Sequence, residues 1–540
     1  MAVSVQRTLA LPLVVILGFF PARTLRAEVG EAVRAASTDL PSAADDDDWR
    51  SYNHRLSGIR YSTLTQINSG NVDQLRELCR ARLADAGSLS TGPLMVDGVL
   101  YVTMNNLTVA LDPTDCRIRW KSEYAPDEPE VLPNNRGVAY LSGTLFRGTG
   151  DGRVIAADAA NGRELWRTKI GDPSMGEFVS AAPVAWDGIV FAGLSGGELG
   201  VRGRMMALDA VSGAKLWTFD LIPGPGQYGS NTWAGNSWQH GGGATWSSYA
   251  LDETTGELFV SVDNPAPAFN RMPRAGDNLY TDSLVALDAR TGRRLWHIQL
   301  RKHDTRDYGV SAPAVLMTVN GRSLIAQGSK DGYLYIIDRQ THHLVHRTPV
   351  TTVAPGEADP TPRGIRVCPG ISGGFLYNSP SFDPHNDRLI SGSVDWCSTL
   401  HRDSSPPRYQ PGREFSGGRQ EHTGLASGWV TSVSAVTGNV VWRFHTDAPV
   451  FAAVTTTAGG VSFTGDHAGR LYALRTDDGA LLWSHETGGS IAGGIITYQI
   501  GKRQYLAVTS GTATLSPPAA AGPPSIIILG LSGGSTGSRE

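Results

Sequence analysis

An eleven-residue pattern returns seven times along this chain: Ala-x-Asp, a Gly six residues after the Ala, and a Trp ten after it. Ala156–Trp166, Ala207–Trp217 and Ala286–Trp296 keep every feature. Ala110–Trp120 has Cys116 in the Gly place, and Ala473–Trp483 has Arg475 in the Asp place. Ile336–His346 and Ser432–Trp442 are eroded copies. A unit recurring at about 40–50 residues must stack on its neighbours to bury its apolar faces, and this is the size of a four-stranded propeller blade. Within a copy, Ala-x-Asp ends one strand, the Thr-Gly or Asn-Gly pair turns tightly, and x-x-x-Trp is the return strand. The Trp is large enough to wedge between sheets, so Trp120, Trp166, Trp217, Trp296, Trp442 and Trp483 read as packing residues.

Val99–Thr103, Leu145–Gly148, Ile189–Ala192 and Leu471–Leu474 supply further strands. Ala250–Val260 and Ser381–Ser391 resemble the repeat but lack its Trp, and read as hairpins elsewhere in blades. Seven repeats leave one blade to close the ring. Trp49–Ile67 and the late strand Ser525–Leu531 are its expected source, because joining the ends in one sheet removes open edges. The expected fold is all-β: an eight-bladed β-propeller of four-stranded antiparallel sheets over residues 49–531, with seven blades as the alternative. The loops Pro223–Trp238, Thr351–Pro369, Asp403–Leu425 and Ser516–Pro524 fall outside the repeat logic.

The 540 residues are 40% apolar and 18% charged, which excludes wholesale disorder. A net charge of −4 leaves no basic footprint for nucleic acid. Arg7, the apolar run Leu9–Phe20 and small residues up to Ala27 read as a signal peptide over 1–27, too short to span a bilayer. A short membrane anchor is the alternative. Export to a bacterial periplasm follows, with 28–48 an acidic linker and 532–540 a disordered tail. Export permits disulfides. Cys79, Cys116, Cys368 and Cys397 allow three pairings, and proximity in sequence favours Cys79–Cys116 and Cys368–Cys397. No Cys-x-x-Cys-His occurs, so no c-type haem is covalently attached to this chain.

Four stretches depart from the repeat. Ser195–Gly203 sets Glu198 among glycines that let backbone approach a flat ligand. Trp238–Trp246 places three glycines beside aromatics, which suits a planar ligand on an indole. Val262–Pro267 fixes Asn264 between prolines and an acid, and an Asn carbonyl oxygen is a good calcium ligand. Lys302–Tyr308 packs Asp304 and Asp307 with His303 and two bases, and one acid there suits a general base. Taken singly, each also reads as an ordinary loop, glycine bulge, turn or surface ion-pair cluster. Together they put hard oxygen donors on different blades of one ring, which favours calcium over zinc or copper.

With those residues in hand, the chain resembles the quinoprotein dehydrogenases, eight-bladed propellers that oxidise alcohols or sugars with pyrroloquinoline quinone (PQQ) and calcium. The resemblance runs from Trp49 to about Leu531. It implies that Glu198, Asn264 and Asp307 bind Ca2+, and that Asp307 is also the catalytic base. It implies that Trp246 stacks under the quinone, that Ser180 and Ser195, with Gly196 and Gly197, bind the cofactor, and that Arg136 bonds the quinone. Lys330 matches a basic residue that stabilises charge on the reactive carbonyls. Cys368 and Cys397 match a structural disulfide of the alcohol-oxidising members. A substrate hydroxyl proton would pass to Asp307, hydride to the quinone, and electrons to a separate acceptor such as a soluble cytochrome c.

Several positions depart from the family pattern. Glu130-Val131 stands where many alcohol-oxidising members carry two adjacent cysteines, which moves expectation toward sugars or polyols. Gly309 stands where lanthanide-using members carry an extra acid, which favours calcium. A quinone-side Asn counts onto Leu376, with Asn378 as a substitute. Arg306 replaces a usual Trp and, beside Asp307, would lower its pKa. The competing class is a non-catalytic envelope scaffold, which shares the Trp repeats but has no reason to gather these polar residues.

Overall fold

The computed structural model describes residues 1, 47–512 and 520–532. The expected signal peptide after Met1, the linker up to residue 46 and the tail from residue 533 lie outside the described residues. Apart from Met1, everything described belongs to the unit Ala43–Glu540. Its strands form eight sheets, as the repeats require. The sheet Val184–Trp186, Ile189–Gly193, Arg204–Asp209 and Lys215–Asp220 is typical, with consecutive strands paired antiparallel. Its first three strands are buried almost throughout, because both faces pack on other sheets. The fourth, carrying Trp217, is the half-exposed outer edge. One apolar cluster spans each seam: Phe259, Ala286 and Trp296 of one sheet meet Leu316, Ile325 and Ile337 of the next.

The repeat's Gly and Trp meet across those seams. A Cβ at Gly162, Gly213, Gly292 or Gly479 would come within 2.4–2.7 Å of Trp120, Trp166, Trp217 or Trp442 of the preceding sheet. The same turns have φ of +70 to +74°, which glycine adopts freely. Each indole Nε1 then donates to a carbonyl of the next sheet, as in Trp166 to Ala210 O at 3.1 Å and Trp442 to Thr476 O at 2.9 Å. The eroded copy keeps this contact with other atoms. His342, in the Gly place at φ +60°, stacks on Trp296 with centroids 4.4 Å apart. His346, in the Trp place, lies under Gly438, and its Nε2 is 3.1 Å from Val436 O.

The closing sheet differs from the expectation in one half. Ile495–Ile500, Arg503–Ser510 and Ser525–Leu531 are its inner strands, so the late strand serves as expected. The outer strand is Leu75–Arg82, not Trp49–Ile67. The earlier segment crosses the centre of the ring instead. Trp49 pairs with Met95, and Tyr61–Ser62 runs parallel to Thr456 and Thr457. Fully buried Arg60 explains this course: its guanidinium donates to Tyr52 O, Val454 O and Ile495 O, backbone acceptors found only inside the ring. The last seam has no Trp at the repeat position. Cys79 follows a bulge in the register that Trp166 has in its own sheet, and Cys116 holds the Gly place at φ +61°. A Cys79–Cys116 disulfide joins them, so a covalent bond stands where four other seams set Trp on Gly. Cys368–Cys397 is the second disulfide.

Ala250–Asp252 with Glu257–Val262, and Ser381–Asp383 with Arg388–Arg402, are the inner hairpins expected of the Trp-less copies. Two segments outside the repeat logic contribute strand: residues 418–425 of Asp403–Leu425, and Ile365–Val367 of Thr351–Pro369. Arg388–Arg402 and Gly418–Ser434 form one long hairpin, and Ile365–Val367 adds to its edge. This hairpin projects beyond its blade and brings Gln420 to the cavity described next.

Candidate active site

In a meander of four strands, the link into the first strand and the loop after the second lie at the same end of the blade. The candidate residues occupy those two places. Arg136, Ser180, Trp246, Asp307 and Leu376 precede first strands, while Ser195–Glu198, Asp263-Asn264 and Lys330 follow second strands. The Gly-Trp turns sit at the opposite end. A cavity of about 310 Å³ opens among these loops, lined by Arg136, Ser180, Ser195, Gly196, Glu198, Trp246, Asp307 and Lys330. Gly197 begins the short 3-10 turn carrying Glu198 but does not line the cavity. Asn264, buried to 1% exposure, is also outside the wall itself.

Asp307 sits at φ +59°, a conformation that an L-residue holds only under constraint from its surroundings. Asp304 supplies that constraint: its carboxylate accepts from Arg306 N, Tyr308 N and Arg301 Nε. His303 and Lys302 pair with Asp277, so of the charged stretch 302–307 only Asp307 lines the cavity. Lys330 Nζ donates to Asp307 Oδ1 at 2.5 Å. Burial drives the Asp307 pKa well above the usual carboxylate range; Lys330 opposes this, and Asp263 and Glu198 add to it. Burial works against the charge on Lys330, yet Asp307, Asp263 and Glu198 hold it above its ordinary value. The expectation that Arg306 would depress Asp307 fails on geometry. Its guanidinium donates to Ala358 O, away from the cavity, and the cation facing Asp307 is Lys330.

Glu198, Asp263 and Asp307 each bring a carboxylate oxygen within 4.8 Å of the others. Asp263 escaped the sequence reading, although it stands next to Asn264. Its Oδ2 accepts from Trp246 Nε1 at 2.7 Å, while Oδ1 is buried without a partner. Asn264 Oδ1 is likewise buried and unpartnered. Burial pushes Asp263 up to about 6, against the pull of Lys330. Three carboxylates around one ammonium leave excess negative charge, and the buried orphaned oxygens of Asp263 and Asn264 are costly unless a cation takes them. The donor set therefore fits a hard metal ion. Gly309 has an unforeseen consequence: a Cβ there would lie 1.7 Å from Asp263 Oδ1, so the lack of an acid at 309 leaves room for the carboxylate of Asp263.

Beside this cluster, Arg136 is buried, donates to Ser180 Oγ at 2.9 Å and leaves Nε unpartnered. Its guanidinium lies 5.0 Å from the Trp246 ring and 4.6 Å from Tyr377. Ser180 and Ser195 hydroxyls are 2.9 Å apart, and Ser195 donates to Thr245 O. An indole fixed at its nitrogen, a buried cation and two hydroxyls make a cradle for a flat, polyanionic ring. In place of a cysteine pair, Glu130 accepts from Asn106, and Leu132 lines the cavity with Ile371 and Leu376. Asn378 does not substitute for an Asn at the cavity, because Tyr52 OH and Phe451 O take both ends of its amide. The Cys368–Cys397 disulfide anchors the stretch that carries Ile371 and Ser372 to the long hairpin.

Comparison with known proteins identifies the family. The family model described as glucose/ethanol/alcohol dehydrogenase, beta-propeller domain, of the PQQ type, matches residues 49–361. A second model, outer membrane protein assembly factor BamB, matches residues 426–515, a stretch without any of the cluster residues. The lanthanide-dependent methanol dehydrogenase of Methylacidiphilum fumariolicum is 30% identical over 86% of this chain and 84% of its own length. The quinohemoprotein alcohol dehydrogenase of Comamonas testosteroni is 28% identical over 90% of this chain and 76% of its own. Among solved structures, a europium-containing methanol dehydrogenase superposes with a TM-score of 0.82 at 26% identity, covering 93% of this chain and all of that one. An eight-bladed ring with a metal-ready acidic cluster beside a cradle for a planar anion thus has its counterpart in sequence, and the chain belongs to the PQQ-dependent dehydrogenases, oxidoreductases that act on CH–OH donors with PQQ and a metal ion.

Proposed function

We propose that this protein works in the periplasm, oxidises an alcohol carrying an apolar group, and passes electrons to a separate acceptor such as a cytochrome c. The substrate class rests on Leu132, Phe178, Ile371 and Leu376, which outnumber the polar wall residues Asn134, Ser372 and Gln420 that neither cofactor nor metal would use. The relatives agree, since one is a quinohemoprotein alcohol dehydrogenase and another a methanol dehydrogenase [cytochrome c] subunit. In this reading Glu198, Asn264 and Asp307 hold the metal, and Arg136, Ser180, Ser195, Gly196, Gly197, Trp246 and Lys330 hold PQQ. When bound, PQQ supplies the hydride acceptor and the metal polarises its carbonyl.

The chain's own residues supply positioning and proton transfer. Lys330 occupies Asp307 Oδ1, which leaves Oδ2 to take the substrate's hydroxyl proton. The Lys330 ammonium also stands ready to compensate negative charge that develops beside it. Asp263 fixes the Trp246 indole at its nitrogen, and Ser180 holds Arg136 over its face. The apolar wall keeps water from competing for Asp307.

The observation that carries this reading is the buried Asp307–Lys330 pair within the wall of one cavity, beside the unpaired oxygens of Asp263 and Asn264 from the neighbouring blade. Reconstituted protein should oxidise short-chain and aromatic alcohols in a dye-linked assay more efficiently than glucose or glycerol. A preference for sugars would refute the alcohol assignment. A scaffold would bind neither PQQ nor metal.

A further inference from the structure

We infer that Asp263 is a further ligand of the metal centre, and that with three carboxylates the site binds a trivalent lanthanide ion more tightly than Ca2+. The inference rests on the metal-centre reading above and concerns which ion wins in competition for the same donors. Asp263 is 1% exposed, and its Oδ1 has no hydrogen-bond partner. Its carboxylate is one of the three that converge within 4.8 Å, and Trp246 Nε1 holds the other oxygen, so the orphaned Oδ1 is fixed in place rather than free to rotate away. Gly309 supports the same conclusion from the other side, since any side chain there would collide with that oxygen. Affinity of oxygen sites is tuned by the number of charged ligands and by rigidity. Each added carboxylate also interacts more strongly with a 3+ ion than with a 2+ ion, in proportion to charge. Glu198, Asp263 and Asp307 carry three negative charges against the single positive charge of Lys330, and the carboxylates of bound PQQ add more, so the loaded site holds more negative charge than Ca2+ alone compensates.

The test is Tb3+ and Ca2+ competition on the full protein loaded with PQQ, read by Tb3+ luminescence sensitised through the indole of Trp246. Wild type should bind Tb3+ at least about tenfold more tightly than Ca2+. The near-isosteric Asp263→Asn keeps an acceptor for Trp246 and should lower Tb3+ affinity at least about tenfold more than Ca2+ affinity. Luminescence lifetimes in H2O and D2O should show one more bound water in that variant, a change that a merely structural role would not produce. Unchanged hydration and an unchanged Tb3+ to Ca2+ ratio in Asp263→Asn would overturn the inference. So would a wild type that prefers Ca2+, a result that does not depend on the variant folding. If Glu198→Gln leaves binding of both ions intact, the metal-centre reading itself is wrong, and the two failures are distinguishable.

Discussion

The two ends of each blade are built from the same four strands but obey different rules. At one end, the turn between the third and fourth strands repeats seven times, and every departure preserves the same contact with other atoms. His342 on Trp296 and Cys79 bonded to Cys116 are the clearest cases. At the other end the loops that carry Glu198, Asp263 and Asp307 follow no common pattern. Asp263 there keeps an unpaired oxygen, Asp307 a strained backbone, and three carboxylates crowd one lysine. Repetition marks where the chain is stabilised; irregularity with unsatisfied polar groups marks where it does chemistry.

If that division holds, substitutions at the two ends should separate activity from stability. The largest effect is expected from Asp307→Asn, with turnover of reconstituted enzyme down at least about 10³-fold. The melting temperature of its apoprotein should not fall, because Lys330 keeps Asp263 and Glu198 as partners and one repulsive charge is gone. A matched loss of stability would blur the comparison. Trp442→Ala, at the other end, should lower stability by about 3 kcal/mol by opening a cavity under Gly479, while kcat/KM stays within about twofold. Parallel denaturant melts and steady-state kinetics check both halves.

The two disulfides should split the same way. Cys79→Ser with Cys116→Ser should reduce stability by about 2–4 kcal/mol, since it unfastens the only covalent seam of the ring among the described residues, and leave KM unchanged. Cys368→Ser with Cys397→Ser loosens the support of Ile371 and Ser372 and should raise KM. The smallest effect belongs to His297 on an outer strand. Burial, then Arg294, lower its pKa from 6.5 to about 4 in the folded chain. The unfolded chain therefore binds this proton first, and stability should decline as pH falls from about 6.5 toward 4. His297→Gln should flatten the melting-temperature profile in that window.

Much of this was legible in the residues. Ala-x-Asp, Gly and Trp at fixed spacing gave the blades, because a seam contact needs those side chains at those offsets. Glu198, Asn264, Asp307 and Lys330 stood out against the repeat. Trp49–Ile67 misled because closing the ring with the two chain ends calls for an early edge strand, while the buried Arg60 that draws this segment into the ring has partners about 400 residues away. Asp263 was missed because an acid before Asn264 looks like part of a turn, and only the close approach of Gly309 shows where its oxygen points. The long hairpin over the cavity was hidden by polar, Gly-rich sequence, which carries no alternation to mark a strand.

The most direct measurement is PQQ binding by the purified protein with and without added metal, in wild type and in Asn264→Ala, followed by dye-linked oxidation of an alcohol panel. The cavity described above predicts metal-dependent PQQ binding, alcohol turnover only when both are present, and loss of both in the variant. Tight PQQ binding that ignores metal, or none at all, would contradict it.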